Sequence, residues 1–166
     1  MAAIQAYLQE LDQEAQTTRR VLARVPGDKL GWKPHEKSMS LGQLAQHIAT
    51  LPGNIAELVS QPTMQLPQFN QPSAASATDL VPALDASLAK AKQLLGAMDD
   101  SALGATWRIL RGDEEVMAMP RGAVLRAIML NHWYHHRGQL SVYLRQLGVP
   151  VPSIYGPSAD ENPFAS

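Results

Sequence analysis

The sequence predicts an all-α protein, a four-helix bundle, on three observations: four long segments with apolar residues at three- and four-residue steps, helix punctuation at their ends, and no strong strand pattern elsewhere. The 166 residues are expected to form one domain over 1–166, and a domain of that size buries roughly 70% of the surface its unfolded chain exposes. Such a core needs no disulfide or metal to hold it together.

The first helix is expected from Ile4 to Val25, where Ile4, Tyr7, Leu8, Leu11, Ala15, Val21, Leu22 and Val25 make one apolar face. Pro26-Gly27 ends it, since proline cannot continue the hydrogen-bond ladder and glycine accepts left-handed backbone. A loop from Asp28 to Met39 follows. Ser40 and Gln43 have the spacing of a capping box and open the second helix, with Leu41, Leu44, Ala45, Ile48, Leu51, Ile55 and Leu58 as its stripe. Pro52 lies inside that stripe and predicts a kink or an early break. Gln61 to Ala77, with three prolines among Gln, Ser and Asn, is expected to be a long irregular connection. The third helix runs from about Asp79 to Met98 on Leu84, Leu88, Ala91, Leu94 and Leu95. Trp107 to Met119 suits a short hairpin or an irregular loop. The last helix begins after Pro120 and stops at Gly148, with Pro150 beyond it. Val151 to Ser166 should be irregular and packed against the bundle.

Composition narrows the function classes. Hydrophobic residues are 45% and charged residues 17%, so the chain is globular rather than disordered. A formal charge of −1 without a basic block gives nucleic acid nothing to bind. Apolar runs are broken well short of the roughly 20 residues a membrane helix needs, and the first ten residues lack a signal-peptide pattern, so the expected location is cytoplasmic. With no cysteine, any metal site must use nitrogen and oxygen donors.

Three of the five histidines fall between Asn131 and Gln139. With Leu125 at zero and about 100° per residue, Leu125, Met129, Leu140, Tyr143 and Leu147 share one direction, and His132 and His136 straddle it. Two imidazoles one turn apart on a buried face can bind one ion together. His135 falls at the edge, while Tyr134, Arg137, Ser141 and Arg145 are expected on the far side. His47, at the margin of the second helix's stripe, is the natural third ligand. His35 sits in the first loop and is left out. Asn131, Arg137 and Gln139 are polar neighbours of the ligands.

Trp32-Lys33-Pro34, Ser40 to Ile48, Asn131 to Leu140 and Leu144 to Pro152 together resemble the DinB-like family of bacterial proteins. The resemblance spans nearly the whole chain. It implies a four-helix bundle with up-up-down-down connectivity, a homodimer, and a divalent metal on one histidine of helix two and a His-x-x-x-His of the last helix. Those positions are His47, His132 and His136 here. Imidazole donors favour zinc or nickel. Three neutral imidazoles leave a position open, whereas structural zinc sites are closed by four protein ligands. The wider superfamily includes transferases and isomerases that use low-molecular-weight thiols. The expected function is therefore a metal-dependent transferase with a thiol cosubstrate. The alternatives are a metal-dependent hydrolase and a non-catalytic, metal-stabilised bundle in a stress response. Catalytic residues cannot be assigned from the sequence.

Overall fold

The structure, a computed structural model, describes residues 3–66 and 70–165. It is mostly helical with a small three-stranded sheet. The long helices are α1 (Ala3–Leu22), α2 (Leu41–Ser60) and α3 (Leu80–Gly96). A short α4 (Asp100–Gly104) precedes the hairpin. The last long helix is composite: α5 (Arg121–Val124), a π-helical stretch over Leu125–Asn131, then α6 (His132–Gln146).

The capping box is present: Ser40 Oγ accepts from Gln43 N–H at 3.2 Å and Gln43 Oε1 from Ser40 N–H at 2.9 Å. Pro52 does not break α2, which continues to Ser60. Proline deprives the Ile48 carbonyl of its helical donor. Trp133 supplies the replacement, its indole N–H donating to Ile48 O at 2.9 Å. The next amide, Gly53 N–H, donates to Ser87 Oγ at 2.8 Å, and Ser87 in turn donates to Thr50 O at 3.1 Å. A Cβ at Gly53 would lie 2.8 Å from the Ser87 carbonyl oxygen, so only glycine permits this approach of α3 to α2.

Paired contacts give the helix directions. Arg19 meets Asp85 and Asp12 meets Lys92, so α1 and α3 are antiparallel. Tyr7 meets Gly122, Glu10 meets Arg126 and Glu14 meets Arg137, so α1 and the last helix are parallel. Thr50 meets Ser87 and Glu57 meets Lys90, so α2 and α3 are parallel. Met39 meets Tyr143 and Ile48 meets Trp133, so α2 and the last helix are antiparallel. The order is up-down-down-up, which corrects the up-up-down-down expectation. The reason lies in the 61–79 connection: it returns along the bundle until Ala74 N–H reaches Gly42 O at 3.2 Å, and α3 then starts beside the start of α2.

The sheet departs from a purely α fold. β2 (Thr106–Arg111) and β3 (Glu114–Pro120) form the expected hairpin, antiparallel, with a register shift between Ile109 and Leu110. Gly112, at φ 60°, makes the tight turn between them. β1 (Thr63–Gln65) was not expected; it adds parallel to β2, Thr63 opposite Arg108, within the segment expected to be irregular. Residues 67–69 of that segment, like Met1, Ala2 and Ser166, lie outside the described residues. Two bonds dock the sheet and the start of α5 onto the last turn of α2, whose carbonyls lack their i+4 helical donors. Trp107 Nε1–H donates to Leu58 O at 3.1 Å and Arg121 Nε–H to Val59 O at 2.7 Å.

The core is continuous across the helices, from Leu11, Leu44, Ile48, Leu84 and Leu95 to Leu125, Met129, Trp133 and Leu140. The tail from Val151 is irregular and packs back as expected, with Val151 and Ser153 buried and Asp160 and Glu161 paired to Arg145 and Arg20. Among the described residues, no helix is long and apolar enough to cross a membrane.

Candidate metal centre

His47, in the second turn of α2, and His132 and His136, one turn apart on α6, converge where the two helices pack. One nitrogen from each ring lies within 4.8 Å of the others. His132 Nε2 is 3.2 Å from His47 Nε2 and 2.6 Å from His136 Nε2. Two imidazole nitrogens on one zinc ion at about 2.0–2.1 Å, at a tetrahedral angle, would be about 3.3 Å apart. The first separation matches that span, and the second needs a side-chain adjustment of well under 1 Å. The donor set is all imidazole, within the nitrogen and oxygen donors to which a chain without cysteine is limited.

His136 is held from outside the cluster. Gln139 Oε1 lies 2.7 Å from His136 Nδ1, which makes that nitrogen the N–H donor and leaves the Nε2 lone pair facing the other rings. The Trp133 bond to Ile48 O fixes α6 against α2 one residue from both His132 and His47. Burial, reinforced by the neighbouring His136 and His132 rings, lowers the His47 pKa to about 4. His132 is lowered by burial and then by His135. His136 is lowered chiefly by burial, against an opposing bond from Gln139. All three are thus neutral near pH 7, the protonation state in which an imidazole binds a metal.

His135 is exposed and packs edge-on against His136, ring centroids 5.1 Å apart, without joining the convergent group, and His35 is exposed in the first loop, where its Nδ1 accepts from Lys37 N–H at 3.2 Å. Arg137 corrects the helical-wheel reading. Expected on the outer side, it is 1% exposed and ion-paired to Glu14 at 2.5 Å, with further bonds to Thr18 Oγ1 and Tyr155. The π-helical stretch explains the error. Each π turn holds an extra residue, so a wheel started at Leu125 loses phase before it reaches α6. The true buried arc of α6, Trp133, His136, Arg137, Leu140 and Leu144, is turned by about 50° from the expected one. It faces α1 as well as α2.

Two cavities adjoin the histidines. One, of about 330 Å³, has His132 in its wall and is otherwise apolar, lined by residues of α2, the sheet and the last helix that include Leu58, Met64, Trp107, Ile109 and Ile128. The other, of about 90 Å³, has His47 in its wall with Gln46, Thr50, Asn54, Asn70 and Gln71. Sequence reading did not find the first, because its far wall is the sheet. It also passed over the Trp133 contact, although a proline four residues after Ile48 signals a carbonyl in search of a donor.

The sequence model of the DinB family matches residues 1–163. The Bacillus subtilis (strain 168) protein YrdA is 30% identical over 156 residues, covering 93% of this chain and 89% of that protein. Two crystal structures share the fold. A DinB-like protein of Bacillus cereus ATCC 10987 superposes with a TM-score of 0.69 at 24% identity, over 91% of this chain and 97% of that one. The DinB-like protein YjoA of Bacillus subtilis gives a TM-score of 0.66 at 22% identity, over 86% and 92%. With the family model matched over residues 1–163 and a relative 30% identical over nearly the whole of both chains, the chain belongs to the DinB family.

Proposed function

We propose that this protein is a metal-dependent transferase that holds one divalent ion, zinc or nickel, on His47, His132 and His136 and acts on a low-molecular-weight thiol cosubstrate. The observation that carries the reading is the incomplete donor set: three imidazoles converge, and among the described residues no further His, Asp or Glu joins them. When bound, the ion would supply Lewis acidity, lowering the pKa of a thiol so that thiolate is available at neutral pH. The chain has no cysteine, so the thiol must come from outside. Its own residues provide the rest. Burial keeps His47 deprotonated, Gln139 orients His136, and the apolar wall beside His132 offers water no hydrogen-bond partner on one side of the centre. A homodimer is part of the same proposal, checked by light scattering at micromolar concentration.

The test is metal analysis of protein purified from defined medium, followed by consumption of electrophilic substrates with and without thiol and chelator. Thiol-dependent turnover abolished by chelation, with the fold retained, is the expected result. Turnover that needs metal but no thiol would instead make the protein a hydrolase. No turnover, with a sharp fall in Tm on chelation, would make the ion structural, since a ligand at a thousandfold excess over Kd adds about 4 kcal/mol to the folded state.

A further inference from the structure

The larger cavity is more than a gap in packing. Its walls come from three separate places in the chain: the C-terminal half of α2 (Leu58), the sheet (Met64, Trp107, Ile109) and the last helix (Ile128, His132). None of its lining residues is charged. The Trp107 indole N–H is already spent on Leu58 O at 3.1 Å, so that ring offers the cavity only apolar surface. The polar group in the wall is the imidazole of His132, at the end shared with the histidine cluster. The chamber is kept open by hydrogen bonds that tie its walls together: Trp107 fastens the sheet, and Arg121 the start of α5, to the end of α2, and Leu66 N–H donates to Leu110 O at 2.7 Å.

We infer that this chamber binds a neutral hydrocarbon group, aliphatic or aromatic, carried by the substrate whose reacting end lies at the three histidines. The inference rests on the metal-dependent reading above and supplies its substrate class. A charged or strongly polar group entering the chamber would shed its water and find no partner. A hydrocarbon gains by the same transfer. A cavity of about 150 Å³ admits the six carbons of benzene, so this one, at about 330 Å³ and filled less completely by a flexible chain than by a flat ring, accommodates about ten carbons. Such a substrate is aligned by its own polarity, hydrocarbon against Leu58, Met64 and Ile109, reacting group toward His132.

The test is isothermal titration of the full chain with straight-chain alcohols from 1-butanol to 1-dodecanol, repeated with octanethiol in place of 1-octanol, each on zinc-loaded and chelated protein. Alcohol affinity should tighten about three- to fourfold per methylene and level off near about ten carbons, with or without zinc. Ile109→Trp, which takes up part of the chamber, should move the levelling point to shorter alcohols. Leu66→Glu, at the half-exposed rim, should weaken every member of the series. Absence of saturable binding would overturn the inference. So would affinity that climbs without a break, or an Ile109→Trp variant with an unchanged series, since either marks partitioning onto the surface. A dimer that Leu66→Glu splits, with no alcohol bound, would assign the chamber to a second copy and likewise overturn it. The thiol arm separates the two readings. If octanethiol prefers zinc-loaded protein while alcohols do not bind, the chamber inference fails alone. If alcohols bind as expected without a zinc-dependent thiol preference, the transferase reading fails and the chamber stands.

Discussion

Trp133→Phe tests how the bundle is held together at the metal centre. The indole N–H is the donor that Pro52 took away from the Ile48 carbonyl, and both Ile48 and Trp133 are fully buried. Removing it strands a buried acceptor at about 1–3 kcal/mol. The smaller ring adds about 1–2 kcal/mol of lost burial and cavity. The total is about 2–5 kcal/mol. The two parts can be separated, because Pro52→Ala restores a backbone N–H four residues after Ile48. In that background Trp133→Phe should cost only the ring term, and the difference between the two backgrounds should be about 1–3 kcal/mol. Urea unfolding of the four metal-free proteins, followed by far-ultraviolet circular dichroism, measures the cycle. Equal costs in both backgrounds, to within about 0.5 kcal/mol, would refute the claim that the indole replaces the missing helical donor.

Ala at His47, His132 or His136 should abolish stoichiometric metal binding, whereas His135→Ala should leave it intact. Gln139→Ala should weaken metal affinity about 10–100-fold by releasing His136. Competition with a chromogenic chelator ranks all five. Metal-free protein should lose stability as the pH falls. Unfolded His titrates near 6.5 and folded His47 at about 4, so the unfolded chain holds more protons between those values and folding is favoured as pH rises through them. His132 and His136, shifted the same way, add to the effect. With allowance for the partial exposure of His47, its share is about 1–2 kcal/mol, read from urea midpoints across that range. Arg137→Met strands Glu14, whose side chain is 14% exposed, and should cost about 3–5 kcal/mol. Arg145→Met breaks an exposed, solvent-screened pair with Asp160 and should leave the urea midpoint nearly unchanged.

Helices were legible wherever a local rule governs them. The α2 start follows from Ser40 and Gln43 alone, and the end of the last helix follows from Gly148, whose φ of 72° is the left-handed stop its sequence position implied. His132 and His136 were legible because four residues make about one helical turn whatever the surroundings. The hairpin was half legible: Gly112 marks its turn, but Trp107 to Met119 carries little alternation because β3 is largely exposed.

What the sequence determined by itself was therefore the set of local, periodic features: helices, caps, turns, and two imidazoles on one helix face. Only the tertiary structure decided the rest. Helix direction depends on where a long connection runs, and nothing local in residues 61–79 says that it returns to Gly42. β1 exists because β2 offers it an edge, a pairing across more than forty residues. Arg137 is buried because a π-helical stretch rotates α6 toward Glu14, and hydrophobic periodicity assumes a uniform turn angle that such a stretch breaks. The hydrocarbon chamber belongs to the same class. Its walls meet only when the sheet docks on the end of α2, and residues far apart in sequence carry no shared period by which they could be found.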